Sequence, residues 1–282
     1  MRALPSTVQS RYPSPMLDRL DPDTARALLE WQLEMGADCA VDPQPVDRFA
    51  LPDRMPQPAA PAQTAPIPAP QPVIGADPVA FAERAAAAAR DLDALREALS
   101  RYPHCDLRKG AQNLVFADGR PGARVMVIGE APGRDEDREG RPFVGQAGQL
   151  LDRMLGAIGL ARDHTDAERA VYITNVLPWR PPGNRDPEPA EVAMMLPFLR
   201  RHVDLAAPDL LVLMGNHSCQ AVLGRKGITR LRGQWTQGLD RPALPMFHPA
   251  YLLRRPQAKR EAWADLLELS ARLGLPPALP SR

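Results

Sequence analysis

The sequence predicts an α/β fold, a three-layer α/β/α sandwich around a central, mostly parallel four-stranded sheet. Two observations predict it. After residue 122, four apolar strand-like runs alternate with stretches of helical periodicity, the pattern of strands joined by helical crossovers. The 33 prolines are concentrated early in the chain, so the compact part is smaller than the whole and falls in residues 79–282.

Taken in order, residues 1–40 form an N-terminal segment in which Asp21 to Gly36 (DPDTARALLEWQLEMG) has an acidic start, a terminal glycine and Ala25, Leu28, Leu29 and Leu33 on one face. This predicts a short amphipathic helix. Docking on the core, binding a protein partner and riding on a tether are all compatible with it. Residues 41–78 are rich in Pro, Ala and Gln and lack apolar periodicity, which predicts an extended, disordered linker. A helix is predicted from about Asp77 to Arg101, with Leu92, Leu95 and Leu99 at helical spacing.

Ala123 to Gly129 (ARVMVIG) then reads as a buried strand, Gly148 to Leu160 as a helix and Ala170 to Leu177 as a strand. Pro187 to Pro208 reads as mainly helix, Asp209 to Gly215 as a strand and the following NHSCQAVLG as the opening of a helix. Leu244 to Pro249 reads as a short strand before a last helix near Pro256 to Leu273. Ligands of such sheets sit beyond the carboxyl ends of the strands. Glu130, Asn175 and His248 all fall at or just after such ends, so three separated segments can converge on one pocket.

A net charge of +1 removes the bulk electrostatic argument for a nucleic-acid partner and leaves local basic clusters to decide. No apolar run approaches the roughly 20 residues that span a bilayer, and the first residues lack a secretory core. A soluble, cytoplasmic protein without a membrane partner is expected. Cys39, Cys105 and Cys219 are odd in number with no CxxC pair, which fits a reducing compartment.

The densest signal is Gly129-Glu130-Ala131-Pro132-Gly133, followed by an acidic run and Arg141-Pro142-Phe143-Val144-Gly145-Gln146-Ala147-Gly148. Glycines and prolines after a buried strand build a tight loop whose backbone can approach a ligand closely. Neither GxxxxGK[ST] nor GxGxxG is present. Asp135, Glu136, Asp137 and Glu139 lack EF-hand spacing and read as a solvated or loop-organising run rather than a cation site.

GEAPGRDEDREGRPFVGQAGQLLDRML (residues 129–155) resembles the first active-site motif of family 4 uracil-DNA glycosylases. The resemblance continues, in the family's order and spacing, through ITNVLPWRPPGNRDP, GITRLRGQW and HPAYLLR. It implies hydrolysis of the N-glycosidic bond of uracil in single- or double-stranded DNA, leaving an abasic site for base excision repair. Such chemistry passes through an oxocarbenium-like state with a uracil anion as leaving group. Glu130 is the carboxylate placed to position water and favour positive charge on the sugar. The resemblance implies that His248 donates to uracil O2, for which neutral imidazole suffices. The resemblance implies stacking of the flipped base on Phe143 and reading of its O4 and N3–H edge by Asn175. Gly129 and Ala131 complete the substrate-binding set.

Tyr251, Leu252, Arg254 and Arg255 suit a wedge with phosphate-holding cations, and Arg230 and Arg232 a second phosphate-contacting loop. The family carries four cysteines around a 4Fe–4S cluster. Here the matching positions are Tyr102, Cys105, Trp179 and Met195. One thiol cannot replace four, so no cofactor is expected and the bulky replacements are expected to fill the volume. A monomer is expected. Two rival readings are a glycosylase for other deaminated bases and a non-catalytic DNA-binding or recruiting module. A related family that crosslinks to DNA through a histidine carries an inserted loop after the second strand. Here Asn175 runs straight into Leu177 to Arg185 without it.

Overall fold

The computed structural model describes Arg26 and residues 77–275. The expected Asp21 to Gly36 helix, Arg26 apart, and the linker up to residue 76 lie outside the described residues. The domain opens with α1 (Pro78–Ala88), α2 (Leu92–Ser100) and the short α3 (Leu107–Gly110). Strand β1 (Asp118–Gly119) and the central β2 (Val125–Gly129) lead to α4 (Arg134–Glu139) and α5 (Gln146–Gly156). Strand β3 (Val171–Asn175), α6 (Pro189–Ala206), β4 (Leu210–Met214) and α7 (Gly215–Leu223) follow. The chain closes with α8 (Ile228–Leu231), β5 (Thr236–Gly238), β6 (Arg241–Met246), α9 (Pro249–Arg254) and α10 (Lys259–Leu273).

The sheet order is β1-β3-β2-β4-β6-β5. Its four central strands are parallel, as the alternation of strands and helices requires. Two very short antiparallel strands extend it at the edges, β1 against β3 and β5 against β6. They escape sequence reading because two or three residues carry no periodicity.

Every residue of β2, β3 and β4 is buried, and alternate side chains enter two separate cores. Met126, Ile128, Tyr172, Leu211 and Leu213 pack with α1, α2, α6 and α7. Val125, Val127, Ile173, Val212 and Leu244 pack with α5, α9 and α10. This period-two division makes the three layers. No helix among the described residues is long and apolar enough to cross a membrane.

The single helix expected from Asp77 to Arg101 is instead two. Ala89 leaves the helix with ψ 124°, and Asp91 accepts a hydrogen bond from the Ala94 N–H at 2.8 Å, so a new N-cap outcompetes continuation. Arg201 stabilises the break by donating twice to the Ala89 carbonyl, at 3.0 and 2.8 Å. The last helix likewise starts later than expected, after a 3-10 turn at Pro256–Ala258.

Candidate active site

The carboxyl ends of β2, β3, β4 and β6 open into one cleft of about 560 Å3, lined by Glu130, Phe143, Asn175, His217, His248 and Arg254 among others. Parallel pairing brings Gly129 opposite Asn175. Beyond the strand ends the Val176 and Leu177 N–H groups donate to the carbonyls of Gly129 and Glu130, both at 3.0 Å. Glu130 and Asn175 are therefore set side by side by backbone pairing.

Gly129 is required by close approach: a Cβ there would lie 2.6 Å from the Phe143 ring and would also meet the Asn175 carboxamide oxygen. Phe143 is buried and adopts a left-handed φ of 54°, a strained conformation that surrounding bonds must hold. The Glu136 carboxylate supplies one set by accepting from the Gly133, Val144 and Gly145 N–H groups at 3.1, 3.0 and 2.9 Å. Arg162 supplies the other by donating to the Pro142 and Phe143 carbonyls at 3.0 and 2.9 Å. Arg162 is itself held by Asp118 and Asp152, each at 2.8 Å. The acidic run is thus loop-organising at Glu136, and at Asp137, which is buried and accepts from the Gln112 and Asn113 N–H groups.

The Phe143 and His248 rings are stacked, with centroids 5.4 Å apart. His248 Nδ1 accepts from the Ala250 N–H at 3.2 Å, which leaves Nε2 to carry the proton of the neutral ring. Burial first, then the charges of Arg254 and His217, push its pKa down to about 4, so the imidazole is neutral near pH 7. Asn175 is buried, and its carboxamide has no hydrogen-bond partner among the described residues, so both ends remain available. Burial raises the Glu130 carboxyl above its ordinary value; the neighbouring His217 opposes that and Asp186 adds to it. Ala131 lines the same cleft.

Two expected DNA contacts are placed otherwise. Leu252 is buried against α5 and α10 rather than presented as a wedge, because in α9 it lies about 100° around the helix axis from its neighbour Leu253, which is 40% exposed. Arg232 is committed inward: its guanidinium pairs with Asp265, at 2.9 Å from Nε, and donates to the Glu261 carbonyl at 2.6 Å. It also lies 5.6 Å over the Phe247 ring. Asp265 is buried on the second core, so this arginine neutralises an interior charge. Arg230, Arg254 and Arg255 are exposed, and Tyr251 lines the cleft with its ring 4.9 Å from Phe247.

Tyr102, Cys105, Trp179 and Met195 are all buried in the core shared by α1, α2 and α6. The Tyr102 hydroxyl donates to the Pro78 carbonyl at 2.8 Å and its ring packs edge-on against Phe198 at 5.4 Å. Cys105 and Cys219 are free and buried, and burial pushes both thiols up. One thiol, a hydrogen-bonded phenol, an indole and a thioether do not form a four-thiolate donor set.

Sequence reading missed four residues that shape the site: His217, Asp186, Arg162 and Glu136 as an individual clamp. His217 follows the end of β4 just as Glu130, Asn175 and His248 follow or end theirs, and that rule was sufficient to find it. Arg162 and Asp186 lie in loops and carry no such signal.

A parallel sheet with a neutral imidazole, a buried carboxamide, a stacked phenyl ring and a carboxylate at its carboxyl edge defines a class of base-recognising hydrolase sites. Residues 116–267, more than half of the chain, match the family described as the uracil DNA glycosylase superfamily. A type-4 uracil-DNA glycosylase of Archaeoglobus fulgidus is 39% identical over 191 residues, covering 64% of this chain and 92% of that protein. Those of Sulfurisphaera tokodaii and Saccharolobus solfataricus are 38% and 34% identical, covering 60% and 66% of this chain and 79% and 88% of theirs. The chain belongs to the type-4 family of the uracil DNA glycosylase superfamily.

Proposed function

We propose that the protein hydrolyses the N-glycosidic bond of uracil in DNA, releasing free uracil and leaving an abasic site for base excision repair. The observation that carries this reading is the convergence of Glu130, Phe143, Asn175 and His248 on one cleft. The flipped base stacks on Phe143, and Asn175 pairs with its O4 and N3–H edge, which cytosine does not present. As the C1′–N1 bond breaks, its electron pair moves onto the uracil ring. His248 Nε2–H donates to O2, where the charge gathers. Glu130 holds the water whose oxygen bonds to C1′, takes up its proton and offsets the positive charge on the sugar. The water oxygen ends on the abasic site and a proton ends on the uracil.

Arg230, Arg254 and Arg255 hold the phosphates, and exposed Leu253 fills the space the base vacates. The protein works without a 4Fe–4S cluster; the buried, apolar Trp179 and Met195 and the single thiol support this. A reducing cytoplasmic setting is supported by the two free, buried thiols.

Oligonucleotides carrying uracil, hypoxanthine or xanthine test the substrate, with iron determined on the same sample. Uracil release without stoichiometric iron is expected, together with a loss of about 10²–10³-fold in kcat on His248→Ala and a comparable loss on Asn175→Asp. Unchanged excision by both variants would overturn the site, and stoichiometric iron with broad visible absorbance would overturn the cluster-free reading.

A further inference from the structure

One wall of the cleft holds a histidine to which the mechanism above gives no part. Strand β4 ends at Met214, and Gly215, at φ 89°, turns the chain so that the first turn of α7 brings His217 beside Glu130. Its Nε2 lies 3.9 Å from Glu130 Oε2 and 3.6 Å from Asp186 Oδ2, and an imidazole nitrogen and one oxygen from each carboxylate all lie within 4.8 Å of one another. The position is anchored next door. Asn216 Oδ1 accepts from the Gly227 and Ile228 N–H groups at 3.0 and 2.9 Å, tying this turn to the loop before α8.

The His217 and Glu130 side chains are 21% and 31% exposed, whereas Asp186 is 84% exposed. The imidazole thus faces the carboxylate through partly dehydrated space, and Asp186 acts mostly through solvent. Of the other charged or titratable groups around Glu130, two are committed elsewhere. Glu136 of α4 is consumed by three backbone N–H groups. Arg185 is held by Glu191 at 3.0 Å. From α9 and the turn before it come Arg254, Tyr251 and His248, the last kept neutral by burial.

We propose that His217 is a positioning residue for Glu130: its imidazole, when protonated, pairs with that carboxylate and holds it turned toward the attacking water, with Asp186 as the opposing charge. This rests on the glycosylase reading. Only an ionised Glu130 can accept the water's proton and offset charge on the sugar; a protonated one does neither. Burial raises the carboxyl above its ordinary value and the neighbouring His217 opposes that.

The sign follows. Replacing the imidazole by an uncharged amide, His217→Gln, removes the favourable charge, so Glu130 holds its proton to higher pH. The acidic limb of the single-turnover rate against pH moves upward. Above the limb the rates of variant and parent converge. Asp186→Asn removes a like charge and moves the limb downward or, through solvent screening, leaves it in place. A merely structural role for His217 lowers the plateau without moving the limb.

The experiment is the pH–rate profile of uracil release for the full chain, His217→Gln and Asp186→Asn, with thermal unfolding at pH 7 to establish that each is folded. The Glu130 carboxyl 13C resonance is titrated in parallel and needs no turnover. An upward shift for His217→Gln alone supports the proposal. Coincident limbs for His217→Gln and parent, or upward shifts in both variants, overturn it. A parent that releases no uracil sinks the glycosylase reading instead, and the carboxyl titrations then decide whether His217 governs Glu130.

Discussion

His248 meets the cleft with one ring nitrogen already engaged by the Ala250 N–H, and that single backbone contact determines which nitrogen can donate to a substrate. At the same scale, adjacent residues in α9 divide their labour by direction alone. Leu252 fills the core and Leu253 faces solvent. Leu252→Ala is expected to destabilise the fold by about 2–5 kcal/mol, as buried leucines do, whereas Leu253→Ala leaves the unfolding midpoint in place and slows uracil release. Equal unfolding midpoints for the two would refute the division. Arg232→Ala should behave like the core change, costing about 3 kcal/mol or more because Asp265 is left buried without its cation. Arg230→Ala should leave stability untouched and reduce the salt dependence of DNA binding by about one phosphate contact. Urea titrations and binding at graded salt distinguish the two arginines.

At the scale of elements, the loop that carries Phe143 is held between a carboxylate and a guanidinium. Glu136 reaches back from α4 to three backbone N–H groups. Arg162 reaches across from beyond α5 to two carbonyls. Each clamp offsets the cost of the left-handed backbone at Phe143. Glu136→Ala releases one side, so the ring that receives the base loses its fixed height. A rate loss of about 10²-fold is expected, the size of a misplacement of about 1 Å, with the native fold retained by circular dichroism. A variant with full activity would show that the loop holds itself. The split of the first long helix into α1 and α2 is an element-scale event of the same kind, in which the Asp91 side chain offers the backbone a better end than continuation.

Across the whole molecule, the two cores carry different electrostatic burdens. The core under α6 contains His202, whose Nε2 lies 2.9 Å from the Tyr172 hydroxyl and whose pKa burial pushes down to about 3. His248, at about 4, is lowered for the same first reason. The unfolded chain protonates both near the ordinary value of about 6.5, so between pH 6.5 and pH 4 it binds protons that the folded protein does not. Stability therefore rises with pH through this window and falls as the pH drops through it. The urea midpoint of the full chain should decline from pH 7 to pH 4.5, and His202→Gln should flatten that decline. A slope identical to the parent's would exclude His202 as a contributor.

What the sequence determined by itself was the set of layers and the cluster of chemistry. Long apolar runs at strand and helix periods are local signals, and a parallel sheet of them must place its connecting loops, with Glu130, Asn175 and His248, at one edge. Tyr102, Trp179 and Met195 were equally legible as residues that offer no thiolate. Only the tertiary structure decided what depends on direction or on partners distant in the chain. It placed Leu252 inward rather than Leu253, paired Arg232 with Asp265, 33 residues away, closed the Phe143 loop with Arg162 and brought His217 to Glu130, 87 residues apart in sequence. No local pattern encodes such pairs, because which charge meets which is settled only when the layers pack.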